Sequence, residues 1–147
     1  MKILILNGPN LNMLGIREPA IYGHTSYADI EKAIKEHCAA LSLDCEVIQS
    51  NHEGVLVDEI QRAYREDFDG IVINPAAYTH TSVAIADAIK AVSLPTVEIH
   101  LSDPDTREAF RSVSYIRPLV IGTVKGEGWH GYLHAIDMLV ERLENGK

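Results

Sequence analysis

Lys2-Ile3-Leu4-Ile5-Leu6-Asn7-Gly8-Pro9-Asn10-Leu11-Asn12 joins an unbroken run of apolar residues to a loop dense in amides. Such a run reads as a strand buried on both faces, the kind found inside a parallel sheet. The loop continues through Met13-Leu14-Gly15-Ile16-Arg17-Glu18-Pro19-Ala20-Ile21-Tyr22-Gly23-His24 before a helical pattern begins at Ser26. Strand-to-helix loops usually take about 2–6 residues, and long ordered ones in compact domains usually carry function. This one holds the amides of Asn7, Asn10 and Asn12, the Arg17 guanidinium and the Tyr22 phenol. Gly8, Pro9, Gly15, Pro19 and Gly23 set its backbone path. The plainer alternative is a surface loop with ordinary turn chemistry.

Downstream, strands and helices alternate. Ser26 caps a helix to about Leu41, with Ile30, Ala33, Ile34, His37 and Leu41 on one face. Cys45–Gln49 reads as the second strand, Glu53–Arg65 as a helix with Leu56, Ile60 and Ala63 inward, and Ile71–Ile73 as the third strand. Thr79 or Thr81 is expected to cap a helix through Val92, followed by strand four at Thr96–Leu101. A short helix fits Pro104–Ser112, strand five Leu119–Val124, and a last helix Trp129–Leu143. Alternation of this kind implies parallel strands with right-handed crossovers and helices on both faces. The predicted fold is an α/β, flavodoxin-like, doubly wound five-stranded parallel sheet of order 2-1-3-4-5, one domain over residues 1–147.

That topology places ligand chemistry at the carboxyl ends of strands one, three and four. Asn7, Asn74 and the set Glu98, His100 and Ser102 stand there. Glu98, His100 and Ser102 are two residues apart, so they share one face of a strand that ought to be apolar on both. A buried Glu and His need partners. The simplest arrangement is a histidine oriented by Glu98, with its other nitrogen toward a cleft; the alternative is a purely structural pair.

Composition excludes several function classes. Among 147 residues, 21 carboxylates face 13 Lys and Arg, for a net charge of −8, which argues against nucleic acid and anionic membranes as partners. No apolar run approaches a membrane span, and the chain opens on a strand rather than a leader, so a cytoplasmic location is expected. Cys38 and Cys45 read as small core residues rather than a disulfide. No metal-ligand spacing, Walker loop or G-x-G-x-x-G is present. A phosphoacceptor receiver would need carboxylates where Asn7 and Asn74 stand, which leaves Lys125 after strand five without its company. A flavin carrier would need a Ser/Thr/Gly-rich phosphate loop after strand one, and Asn7–Asn12 is not one.

What remains, a Tyr, an Arg, a His and several amides, suits proton abstraction beside a carbonyl with acid assistance to a leaving group. Tyrosine, with a pKa near 10, needs roughly 2.7 kcal/mol to fall two units. A guanidinium at roughly 4 Å supplies on the order of 4 kcal/mol at an effective dielectric near 20. Arg17 is therefore enough if the loop brings it to Tyr22.

The motifs Asn7-Gly8-Pro9-Asn10-Leu11-Asn12, Arg17-Glu18-Pro19 with Tyr22-Gly23, Gln49-Ser50-Asn51-His52-Glu53-Gly54, Asn74-Pro75-Ala76-Ala77-Tyr78-Thr79-His80-Thr81-Ser82 and Glu98-Ile99-His100-Leu101-Ser102 closely resemble type II 3-dehydroquinate dehydratase. The resemblance spans essentially the whole chain. It implies dehydration of 3-dehydroquinate to 3-dehydroshikimate by anti elimination through an enolate, with no cofactor, metal or Schiff base, in biosynthesis or in quinate breakdown. It implies that Tyr22 takes the C2 proton, that Arg17 lowers its pKa, and that Asn10 helps hold an enolate-stabilising water. His100 becomes the acid for the C1 hydroxyl, supported by Glu98 and Asn74. His80 and Arg111, with the backbone of Leu101 and Ser102, bind hydroxyls and carboxylate. Asp87 matches a residue offered to a neighbouring subunit's site, within a homododecamer built as a tetramer of trimers.

One departure stands out. Where the family usually has Asn and then an apolar residue, this chain has Asp103-Pro104-Asp105. An added carboxylate there would repel an anionic substrate. Alternatively Asp103 caps a helix with Pro104 at its first position, which is the favoured reading.

Overall fold

The computed structural model describes residues 1–16, 19–22 and 24–146, the side chains of Pro19 and Tyr22 excepted. Strands β1 (Lys2–Asn7), β2 (Asp44–Gln49), β3 (Gly70–Asn74), β4 (Thr96–His100) and β5 (Gly122–Lys125) form one sheet in the order β2-β1-β3-β4-β5. Every neighbouring pair is parallel. The predicted topology is therefore the observed one.

Alternation along the strands divides the core in two. Ile3, Ile5, Val72, Val97 and Ile99 face helices α2 (Tyr27–Ala40) and α5 (His130–Asn145), against Ile30, Ile34, Ala135, Ile136 and Leu139. Leu4, Leu6, Ile71 and Ile73 face α3 (Glu53–Arg65) and α4 (Val83–Val92), against Leu56, Ile60, Ala63, Ile85 and Ile89. Full burial of each Val, Leu or Ile side chain among them contributes about 1.5–3 kcal/mol. The remaining helix, α1 (Pro19–Tyr22), is a single turn between β1 and α2. Among the described residues no helix is long and apolar enough to cross a membrane.

Ser26 caps α2 as expected, its hydroxyl accepting the Asp29 amide while the Asp29 carboxylate accepts the Ser26 amide. Four expectations need correction. Leu41, placed inward, lies past the end of α2 and is 40% exposed. The cap of α4 is Ser82, whose Oγ accepts the Ile85 amide at 2.9 Å, and neither Thr79 nor Thr81. Residues Ala76–His80 instead wind into a 3-10 turn, entered with Ala76 at φ 52°, and this delays the helix. The single helix read over Pro104–Ser112 is two 3-10 turns, Pro104–Thr106 and Ala109–Ser112. Strand five begins at Gly122 rather than Leu119, because a further 3-10 turn takes Arg117–Leu119.

The ends of β1 and β3 are drawn close. The Gly8 amide donates to Asn74 O at 2.8 Å, and a Cβ on Gly8 would stand 2.5 Å from Pro75 O. Only glycine fits there.

Candidate active site

On β4, Val97 and Ile99 feed the core, so Glu98 and His100 point to the opposite face. Glu98 is fully buried. Its Oε2 accepts from His100 Nε2 at 2.8 Å, Thr79 Oγ1 at 2.5 Å and Ser114 Oγ at 3.1 Å, and its Oε1 accepts from Thr123 Oγ1 at 3.3 Å. Burial alone would raise its pKa. The bond and charge of His100 and the Thr79 and Ser114 hydroxyls outweigh burial and hold it below the usual carboxylate value. Glu98 thus sits as a fixed anion behind the imidazole. Since Nε2 donates to Glu98, Nδ1 is the nitrogen left for chemistry.

The opposite sheet face carries a second buried polar group. Asn7 and Asn74 are register partners at the ends of β1 and β3. The Tyr132 hydroxyl, from α5, donates to Asn7 Oδ1 at 2.6 Å and accepts from Asn74 Nδ2 at 3.0 Å. Asn74 Oδ1 accepts the Ala76 amide at 3.1 Å, and Asn7 Nδ2 donates to Tyr27 Oη at 3.3 Å. Burial pushes the Tyr132 phenol up, so it stays a neutral donor.

A cavity of about 240 Å³ opens at these strand ends. His100, Leu101 and Ser102 line it from β4 and its exit, and Asn74 and His80 from the β3 side. Asn10 and Arg111 line it too, while Glu98 stands behind His100 and is not part of the lining. Asn10, at φ 68° in the left-handed region that Asn tolerates, gives its amide to Asn51 Oδ1 at 3.0 Å. Gln49 Nε2 holds Gly8 O and Asn51 Oδ1, each at 3.1 Å, so Gln49–Gly54 buttresses the loop after β1. His80 Nδ1 pairs with Val113 O at 2.6 Å and therefore carries the hydrogen. Burial, aided by the nearby charges of His100 and Arg111 and opposed by the Val113 carbonyl, lowers its pKa. A neutral His80 presents an accepting Nε2, suited to a hydroxyl.

Arg107, which the sequence reading did not single out, also lines the cavity, with Nη1 3.5 Å from Ser102 Oγ. Its signal was the four-residue spacing to Arg111, which the helix expected there would also have put on one face. Asp87 is exposed on α4 and does not line the cavity. Arg17 and the Tyr22 side chain lie outside the described residues. Asp103 is a cap as expected: its Oδ1 accepts the Asp105 amide at 3.0 Å and Pro104 follows at the first turn position. Among the described residues no group of three or more His, Cys, Asp and Glu is placed to hold a metal ion.

A buried Glu–His pair, a neutral His and two guanidiniums around one small cavity form a site for an anionic, hydroxylated molecule and for proton transfer to it. Comparison with known proteins agrees. The family model described as dehydroquinase class II matches residues 1–140. The 3-dehydroquinate dehydratase of Dinoroseobacter shibae is 53% identical over 137 residues, 93% of this chain and 91% of that protein. The crystal structure of type II dehydroquinase from Butyrivibrio crossotus superposes with a TM-score of 0.94 at 50% identity, covering 95% of this chain and 97% of that one. The type II dehydroquinase from Propionibacterium acnes gives 0.91 at 42%, covering 95% and 96%. The chain belongs to the class II dehydroquinase family.

Proposed function

We propose that this chain dehydrates 3-dehydroquinate to 3-dehydroshikimate and water, by anti elimination through an enolate and without a Schiff base. The Tyr22 phenolate, its pKa lowered by Arg17, takes the C2 proton, and the electron pair passes to the carbonyl oxygen as an enolate. A water held by Asn10 stabilises that oxygen. The enolate then expels the C1 hydroxyl, which leaves as water with a proton from protonated His100 Nδ1. One proton has moved from carbon to Tyr22 and one from His100 to the leaving group, and exchange with solvent resets both.

The observation that carries the reading is the Glu98–His100 pair, whose imidazole lines the cavity with the carboxylate buried behind it. The Glu98 carboxylate holds the imidazole by Nε2 and leaves Nδ1 to hand a proton to the departing hydroxyl. Neutral His80 accepts from a substrate hydroxyl. Arg111 and the backbone of Leu101 and Ser102 take the carboxylate. The assembly is a homododecamer, a tetramer of trimers, in which Asp87 serves a neighbouring subunit's site. The enzyme is one catalytic domain and works in the cytoplasm.

Mixing the purified protein with 3-dehydroquinate, with and without borohydride pretreatment in the presence of substrate, tests this. Growth of conjugated-enone absorbance in both samples is expected. Its absence in both removes the assignment, and loss only after borohydride indicates a lysine imine.

A further inference from the structure

Two features are not used by the chemistry above, Lys125 at the end of β5 and the Asp103-Pro104-Asp105 turn, and the fold brings them together. Lys125 is the register partner of His100 across β4 and β5. Its ammonium donates to Asp105 Oδ2 and lies 3.4 Å from Asp103 Oδ1. Arg117 Nη1 approaches the same Asp105 oxygen at 3.7 Å. Two carboxylates and two cations thus form a neutral cluster at the cavity rim. The neighbouring backbone is tied to the same element, with Gly126 N donating to Ser102 O at 3.1 Å and Gly128 N to Leu101 O at 2.9 Å.

We propose that Lys125 is a positioning residue for substrate binding: it cancels the carboxylate charge of the Asp103–Asp105 turn and so keeps the Leu101–Ser102 carboxylate subsite receptive to an anion. The inference rests on the dehydratase reading of the cavity. Pro104, between the two acids, is buried and lines the cavity, so the turn reaches the site itself. An Asp-Pro-Asp turn without a cation would place negative charge beside a subsite that must accept a carboxylate. Lys125 comes from the adjacent strand and removes that conflict while leaving Asp103 free to cap. It touches no reacting atom, so its effect belongs in KM rather than kcat.

Steady-state kinetics with 3-dehydroquinate separate the possibilities. Lys125→Met should raise KM roughly five- to tenfold with kcat within about twofold, the scale of one uncancelled charge at a partly solvated rim. Lys125→Arg should stay near wild type. Lys125→Met/Asp105→Asn restores neutrality and should bring KM back. Asp105→Asn alone should leave KM unchanged or lower, which keeps the test usable if Lys125→Met is poorly folded. An unchanged KM in Lys125→Met, a KM still raised in the double variant, or a raised KM in Asp105→Asn overturns the proposal. Absence of turnover in the wild type would instead overturn the dehydratase reading.

Discussion

Glu98 and His100 stand on one face of β4 with Oε2 and Nε2 2.8 Å apart, the carboxylate fully buried and the imidazole at the cavity wall. Three hydroxyls, Thr79, Ser114 and Thr123, satisfy the rest of that carboxylate, so its charge and position are both set before substrate arrives. The cost of burying a charge is offset by this full complement of partners.

Replacing Glu98 by Gln keeps the shape and removes the charge. The protonated form of His100 then loses its counter-ion, and kcat should fall about 10²-fold, the range of a general-acid contribution. A kcat within about threefold of wild type would remove Glu98 from the acid's machinery.

The same pair makes stability depend on pH. The folded pKa of Glu98 lies below its ordinary 4.5. A depressed carboxylate contributes stability that is present above the unfolded value and is lost as pH falls through the folded one. The difference in unfolding free energy between wild type and Glu98→Gln should be flat from about pH 7 to 5 and shrink below about 4.5. Urea melts across that interval measure it, and a difference that grows on acidification would contradict the assigned direction.

Tyr132→Phe deletes one hydroxyl from the interior and strands two amides. Asn7 Oδ1 loses its donor and Asn74 Nδ2 its acceptor, at a cost of about 1–3 kcal/mol per unsatisfied group. Chemical denaturation should show a loss of at least about 1 kcal/mol. A neutral substitution would mean that the amides find other partners.

Arg17→Gln tests the coupling between loop cation and phenol. If the guanidinium lowers the Tyr22 pKa, the ascending, base-dependent limb of activity should move to higher pH in the variant. An unchanged profile would refute the coupling.

The parts of this site legible in the sequence were those set by local periodicity. Glu98 and His100 announced themselves because two residues per strand repeat puts them on one face, and Asn7 and Asn74 because each closes an apolar run. Asp103 was readable as a cap from the proline after it. Features that depend on the three-dimensional path were not readable. Ser82 displaces Thr79 and Thr81 as the α4 cap because the chain first makes a 3-10 turn, and that turn sends Thr79 inward to Glu98 instead. Lys125 looked solitary because its partners lie 20 and 22 positions away and meet it only through the β4–β5 register. The hydroxyl of Tyr132 joins Asn7 from 125 residues downstream, a distance no sequence window covers.

Removal of the substrate's proton falls to the Tyr22 phenol in the proposed mechanism. Its most direct test is the initial rate of enone formation from 3-dehydroquinate by wild type and by Tyr22→Phe at matched folding. A turnover lower by about 10²–10⁴-fold with modest change in KM is predicted, and a near-normal turnover in the phenylalanine variant would contradict it.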